Sequence, residues 1–288
     1  MKTHACTVLG ENGGVHLSRC LDASTVGFDC SLRDFLDGCA SSGFDAVEWP
    51  IEWVQAMIKT TSVVEVKKLF ASFHLQPAQF TGSFGAPANL AVAPQAFERR
   101  LAAFRDNCAL ASTIGCTRAS IAIDTRRHGG IPLGTEEIVL RIRRVAAVAI
   151  DYHVRLSLDI VDRALLYTID PILACLQAVS PYVGLLVDFF GLYRCGLGAE
   201  WISALPCAAI AWLRLSDAPQ NKERSQLRGA DRLLPGTGGI DLHGLLNACL
   251  QKGYCGTVSL ECYDPVLRAL SPQQRAKVAF EAIKEYVQ

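Results

Sequence analysis

The feature that most limits the fold of this chain is a regular alternation of short apolar runs with longer amphipathic stretches. Short runs of apolar and β-branched residues are typical of buried strands, and apolar residues at helical spacing are typical of helices packed on a sheet. Eight strands that alternate with eight helices predict an α/β fold, the (β/α)8 TIM barrel. The predicted strands cover residues 20–26, 44–49, 75–80, 117–123, 154–161, 183–189, 210–215 and 257–262. The predicted helices cover residues 31–42, 62–73, 94–114, 135–151, 169–179, 198–205, 241–252 and 271–287.

A doubly wound open sheet is the alternative fold. That fold needs no eighth strand and usually has a glycine-rich turn after its first strand, which is missing here. The sequence contains no linker, low-complexity segment or repeat, so we expect one domain over residues 1–288.

Composition limits the partners of the chain. Its 28 basic and 28 acidic residues cancel, and a neutral chain lacks the basic surface that nucleic acid or an anionic membrane requires. The 12 cysteines are scattered, without a Cys-x-x-Cys pair or zinc-site spacing, and no signal or membrane-spanning pattern is seen. We therefore expect a cytoplasmic protein with no nucleic-acid or membrane partner.

Charged residues near the ends of four consecutive predicted strands give the main clue to function. Asp159, Asp188, Arg214 and Glu261 lie near the ends of strands five to eight, each next to apolar residues. Successive strand side chains face opposite sides, and inward-facing residues at the carboxyl ends of barrel strands form the active-site mouth. These four residues are the predicted catalytic set, with Glu261 and Asp159 as the acid/base pair. The opposing interpretation is an ion pair that only fills the barrel.

Five further residues are predicted substrate contacts at the same mouth. The set combines charged residues on inward strand faces with an aromatic wall and one arginine in the loop after strand seven. Its members are Glu48, Arg118, Phe190, Tyr193 and Arg232.

Several motifs resemble those of the xylose isomerase-like TIM barrel superfamily, the sugar phosphate isomerase/epimerase group. Residues 43–49 (Gly-Phe-Asp-Ala-Val-Glu-Trp) are similar to its second strand, and residues 259–261 (Ser-Leu-Glu) to its eighth. Residues 216–219 (Ser-Asp-Ala-Pro) and 235–239 (Pro-Gly-Thr-Gly-Gly) resemble its seventh strand and following loop. The resemblance runs from about residue 20 to the end, and it implies a barrel enzyme of the isomerase or epimerase type with a small-molecule substrate. Several members of the family form dimers, so the resemblance also leaves a homodimer open.

In that family a divalent metal is held by glutamate, aspartate, histidine and glutamate from strands five to eight. The resemblance places Asp159, Asp188, Arg214 and Glu261 at those positions. Arginine stays protonated and has no lone pair to give to a cation, so the metal site departs from the family pattern.

Two interpretations of this departure stay open. In the favoured one there is no metal, and Arg214 replaces it as the positive charge that polarises a substrate oxygen. In the other, Asp159, Asp188 and Glu261 still hold Mg²⁺, Mn²⁺ or Co²⁺ while Arg214 binds substrate.

The predicted function is isomerisation or epimerisation of a small hydroxy-carbonyl or sugar-like compound by proton transfer between carboxylates. A lyase (dehydratase) reaction with the same carboxylates is the second enzyme hypothesis. A binding or partner subunit that has lost catalysis is the third possibility.

Overall fold

The computed structural model describes residues 17–82, 84, 89–125, 130–161 and 163–287, and it is a closed barrel of eight parallel strands in sequence order. The TIM barrel prediction is therefore confirmed. Each strand pairs with its sequence neighbours, and β1 closes the ring by pairing with β8. The strands are β1 (Ser18–Asp22), β2 (Ala46–Pro50), β3 (Gln76–Thr81), β4 (Arg118–Ile123), β5 (Arg155–Ile160), β6 (Val183–Asp188), β7 (Ile210–Leu215) and β8 (Thr257–Leu260).

Helices follow the strands and cover the outside of the barrel. Where a helix begins, serine caps such as Ser31 and Ser271 accept a hydrogen bond from the first turn, as sequence patterns of this kind predict. The helices are α1 (Ala23–Val26), α2 (Leu32–Ser42), α3 (Ile51–Met57), α4 (Val63–Ser72), α5 (Pro94–Ile114), α6 (Thr135–Asp151), α7 (Arg163–Tyr167), α8 (Asp170–Ala178), α9 (Phe189–Cys195), α10 (Ala199–Ala204), α11 (Leu242–Gln251), α12 (Pro265–Arg268) and α13 (Pro272–Ile283).

The first and sixth strands end earlier than predicted, and the cause is the same in both. Asp22 accepts a hydrogen bond from the backbone N–H of Ser24 at 2.8 Å and thereby starts α1. Asp188 accepts one from the N–H of Phe190 at 3.1 Å and starts α9. Each carboxylate ends its strand and caps the next helix, so an apolar run that continues past it is helical.

The core has an outer layer between strands and helices and a small inner layer inside the barrel. Cys20, Ala46, Ala78, Leu186 and Trp212 form the inner cluster. Trp212 lies two residues before Arg214 on β7, so the indole packs one layer below the guanidinium, as predicted. This apolar floor separates the charged mouth from the other end of the barrel.

Among the described helices, none has both the length and the apolar composition that crossing a bilayer requires. The cysteines within the described ranges form no disulfide.

Candidate active site

Strand register brings a set of charged side chains to the carboxyl end of the barrel. Asp22 of β1 is paired in register with Glu48 of β2, and Asp188 of β6 with Arg214 of β7. In a barrel, residues at one height on neighbouring strands with inward side chains meet near the axis. Charges that are distant in sequence therefore form one buried network.

Arg214 is the centre of that network. Its Nη2 donates to Glu48 Oε1 at 2.6 Å and lies 3.6 Å from Asp22 Oδ2. Its Nη1 donates to Asp159 Oδ2 at 3.4 Å, and its Nε lies 3.5 Å from Glu261 Oε2. One buried guanidinium therefore contacts four carboxylates from four different strands or strand ends. A planar group with five N–H donors suits this arrangement, whereas a lysine could not span it.

Arg232, from the loop after β7, adds a second cation. Its two terminal nitrogens form a bidentate pair with Asp188, with Nη2 to Oδ2 at 2.6 Å and Nη1 to Oδ1 at 3.0 Å. Its Nε lies 3.1 Å from Glu261 Oε2, and its Nη1 also donates to the Ser216 hydroxyl at 3.1 Å. The ring of Phe190 packs on the guanidinium at 4.6 Å, which is a cation–π contact.

Glu261 is held by three groups. Besides the two guanidinium nitrogens, the hydroxyl of Tyr263 donates to Oε1 at 2.8 Å. This hydrogen bond fixes one carboxylate oxygen and orients the other toward the two arginines. On the opposite side of the site, Gln79 donates from its amide to Glu48 at 2.9 Å.

Burial and mutual repulsion raise the pKa of two carboxyl groups. Burial, with the neighbouring charges of Glu48 and Glu261, raises the pKa of Asp22 to about 8. Burial raises the pKa of Asp159 to about 7, although the nearby Arg214 acts in the opposite direction. A carboxyl group with a pKa close to neutrality can both take and give a proton, which is what acid/base catalysis requires.

The arginines keep the other end of the network ionised. Burial alone would raise the pKa of Asp188, but the charge and hydrogen bonds of Arg232 bring it below its ordinary value. Burial likewise disfavours charge on Arg214, but the surrounding carboxylates, Glu261 first, raise its pKa well above the ordinary value. The site therefore combines permanently charged groups with carboxyl groups that titrate near pH 7.

A cavity of about 200 Å³ opens onto the network. Asp159, Asp188, Arg214, Arg232 and Glu261 line it together with apolar residues of β5, β6 and α9. Its volume is below the roughly 300–1,000 Å³ of drug-sized pockets, so it suits a small substrate.

Two of the predicted mouth residues lie elsewhere. Arg118 faces inward, but it is the first residue of β4, so its guanidinium lies near the amino ends of the strands, beneath the apolar floor. Tyr193 lies in the second turn of α9, where its ring packs on the Arg224 guanidinium at 4.1 Å and lines a separate surface cavity. Both placements correct the prediction that these side chains reach the mouth. Arg118 misses the mouth because it lies at the amino end of its strand rather than at the carboxyl end. Tyr193 misses it because the turn of α9 directs its side chain away from the barrel axis.

Four residues of the network were not predicted from the sequence as site residues: Asp22, Gln79, Ser216 and Tyr263. Asp22 was hidden because the first strand was predicted to run through it, and Gln79 because one polar residue in an apolar run carries little signal. Tyr263 follows Glu261 by two residues, and that spacing could have identified it, since side chains two apart in extended backbone share a face.

The donor set does not fit a divalent metal. Both oxygens of Asp188 accept from Arg232, and the Arg214 guanidinium lies among Asp159, Glu261 and their neighbours. No group of three His, Cys, Asp or Glu side chains within the described part of the chain could hold a metal ion. A metal ion bound here would have to displace the arginine side chains that are already paired with the same carboxylates.

Comparisons with known proteins agree with this architecture. A sequence profile described as xylose isomerase-like TIM barrel matches residues 36–286. An inosose isomerase of Halalkalibacterium halodurans is 23% identical over 286 residues, which covers 93% of this chain and 95% of the relative.

Solved structures show the shared fold at low sequence identity. The IolI protein with a bound zinc atom superposes with a TM-score of 0.80 at 19% identity and covers 94% of this chain and 98% of its own. D-psicose 3-epimerase of Clostridium cellulolyticum, solved with D-tagatose, has a TM-score of 0.70 at 15% identity, with coverage of 94% and 99%.

Proposed function

This chain belongs to the xylose isomerase-like TIM barrel family, and on that premise we propose that it is an isomerase or epimerase of a small sugar-like hydroxy-carbonyl compound. Two relatives that align over more than nine-tenths of this chain are inosose isomerases, and one structural neighbour is a D-psicose 3-epimerase. Keto-inositols and ketohexoses are therefore the substrate classes to test first.

The observation that carries the proposal is the position of Arg214 among four carboxylates. Enolisation places negative charge on the carbonyl oxygen, and a cation at that oxygen stabilises the transition state. Arg214 supplies a permanent positive charge with several N–H donors at the mouth. We assign it the electrostatic role that a metal would otherwise fill, so the proposed reaction is metal-independent.

Glu261 and Asp159 are the proposed proton carriers. Glu261 takes the proton from the carbon next to the carbonyl, and the electron pair moves onto the carbonyl oxygen to give an enediolate held by Arg214. Asp159, protonated in part of the molecules near pH 7, returns a proton to the enediolate. Return to the same carbon from the other face restores the carbonyl and gives the epimer. Return to the neighbouring carbon gives the isomer, provided that the hydroxyl proton on the first carbon moves to the former carbonyl oxygen and the new carbonyl forms at the first carbon. In both cases Glu261 ends protonated and Asp159 ionised, and a proton passed back through solvent resets the pair.

Proton exchange at carbon tests this assignment whichever product forms. The enzyme, with chelator present, is incubated in D₂O with keto-inositols and with ketohexoses, and deuterium at the carbon next to the carbonyl is followed by NMR. We expect Glu261→Gln to reduce exchange by at least about 10³-fold, because an amide is not a base.

The matched control is Glu98→Gln, which also removes one carboxylate but in an exposed pair with Arg144 outside the barrel. It should exchange like the wild type. Exchange by Glu261→Gln at the wild-type rate would refute the assignment of this residue as the base.

A non-catalytic binding role is the second candidate, because the ion pairs of Arg214 and Arg232 already occupy many carboxylate oxygens at the mouth. Such a protein would gain thermal stability from a keto-sugar yet incorporate no deuterium. The same samples therefore separate the two functions.

A further inference from the structure

A second cavity lies at the opposite end of the barrel from the candidate active site. It has a volume of about 330 Å³ and is formed at the amino ends of β4 to β8. We name it the basal cavity. Three cationic residues, Arg118, Arg155 and Lys252, contribute to its lining, and none of the described residues that line it is acidic.

Arg118 is the unusual member of this set. It is half-buried, its Nη1 lies 3.4 Å from the Ser157 hydroxyl, and its guanidinium lies 6.0 Å from the Trp212 ring. Burial, with a smaller contribution from the charge of Arg155, lowers the pKa of Arg118 below its ordinary value. No carboxylate among the described residues forms an ion pair with it.

The other shielded arginines differ from Arg118 in this respect. Arg141 pairs with Glu137 at 2.6 Å, and Arg275 pairs with Asp29 at 3.3 Å while also donating to backbone carbonyls. Partial burial of a guanidinium without a counter-charge costs free energy, and the cost rises when a second cation lies nearby. A ligand that brings the missing negative charge would remove that cost.

We propose that the basal cavity binds a small oxyanion, either free or as the phosphate or carboxylate group of a small metabolite. A guanidinium presents paired N–H donors that match two oxygens of such a group, and the Lys252 ammonium adds a point charge. The limited volume of the cavity favours a small ligand over a polyanion. Because the apolar floor with Trp212 lies between this cavity and the mouth, the ligand is distinct from the substrate.

Inorganic phosphate is the probe for the test. Its binding is measured by isothermal titration calorimetry at constant ionic strength, on the whole chain, for the wild type and for the double variant Arg155→Gln/Lys252→Gln. Both positions are at the rim rather than in the core, so this variant should fold. We expect saturable binding of one phosphate per chain, weakened about tenfold or more in the double variant.

The control is Arg105→Gln/Lys277→Gln, which removes the same charge from exposed positions on α5 and α13. It should bind phosphate like the wild type. Equal affinity in both double variants, or no saturable binding to the wild type, would overturn the proposal. Arg118→Gln provides a second measurement, with circular dichroism to verify its fold, and should lose phosphate binding.

Glycerol 3-phosphate separates the two possible sources of the anion. Tighter binding than inorganic phosphate would identify a phosphorylated metabolite as the ligand, and weaker binding would identify the free anion. Since all variants leave the mouth intact, this experiment succeeds or fails independently of the proposed isomerase reaction.

Discussion

Removal of the central cation should make the stability of this protein depend steeply on pH. The change is Arg214→Gln, which keeps a polar side chain but leaves Asp22, Glu48, Asp159 and Glu261 without their shared partner. Loss of one member of a buried ion pair costs about 3–5 kcal/mol, because the remaining charge is buried and uncompensated. A loss of that size is a large fraction of the roughly 5–15 kcal/mol that stabilises a typical domain.

The sign of the pH dependence follows from the raised carboxyl pKa values. In the folded wild type the pKa is about 8 for Asp22 and about 7 for Asp159, against an ordinary value of 3.8 for both. Between these limits the folded state binds more protons than the unfolded state, so stability falls as pH rises. Arg214 opposes this trend because its charge lowers both pKa values. Without it the decline with pH becomes steeper.

The magnitude can be worked out at two pH values. At pH 8 we expect Arg214→Gln to lose about 3–5 kcal/mol of unfolding free energy relative to the wild type. At pH 5 Asp22 and Asp159 are protonated, and the loss should approach the cost of the two hydrogen bonds that Arg214 donates, about 2 kcal/mol.

Urea unfolding followed by circular dichroism at both pH values provides the measurement. The control variant Arg144→Gln removes an arginine from the exposed pair with Glu98, where the loss should stay below about 1 kcal/mol at either pH. An equal loss for Arg214→Gln at pH 5 and pH 8 would refute the view that the guanidinium acts by neutralising these carboxylates.

Three further predictions concern catalysis and metal binding. Tyr263→Phe removes the hydrogen bond to Glu261, and steady-state turnover should show kcat lowered about tenfold with little change in KM. A change in KM alone would contradict a positioning role for Tyr263. The pH–rate profile of the wild type should change slope near pH 7, where Asp159 titrates, and Asp159→Asn should remove that change of slope. If the change of slope persists in the variant, the titrating group is another residue. Wild type and Arg214→His are dialysed against Mn²⁺, Mg²⁺ or Co²⁺ and desalted, and bound metal is measured by plasma mass spectrometry. We expect no tightly held ion in the wild type and one ion per chain in Arg214→His. Stoichiometric metal in the wild type would contradict metal independence.

The sequence predicted the fold well because the fold depends on regular patterns. All eight strands and their order follow from apolar runs, and the boundaries of β7 are those of the prediction. The sequence could single out the four catalytic candidates because a charge near the end of an apolar strand is a strong local signal, and the structure places all four side chains on one cavity.

The remaining parts of the site depend on information that local patterns do not contain. The depth of Arg118 is set by where β4 begins relative to its neighbours, which is a property of the register. The bidentate contact between Arg232 and Asp188 joins residues 44 positions apart through the path of a loop. The role of Asp22 as a helix cap was hidden because Ala23 to Val26 is compatible with either a strand or a helix.

The double use of Asp22 and Asp188 links the formation of the site to folding itself. Each side chain starts a helix through a backbone N–H and also faces Arg214 or Arg232. Fraying of α1 or α9 would therefore release a carboxylate from the network, and disruption of the network would weaken a helix start. The amides of Ser24 and Phe190 should consequently exchange with solvent hydrogen in the same cooperative opening event, although they follow β1 and β6, which are not neighbours in the barrel.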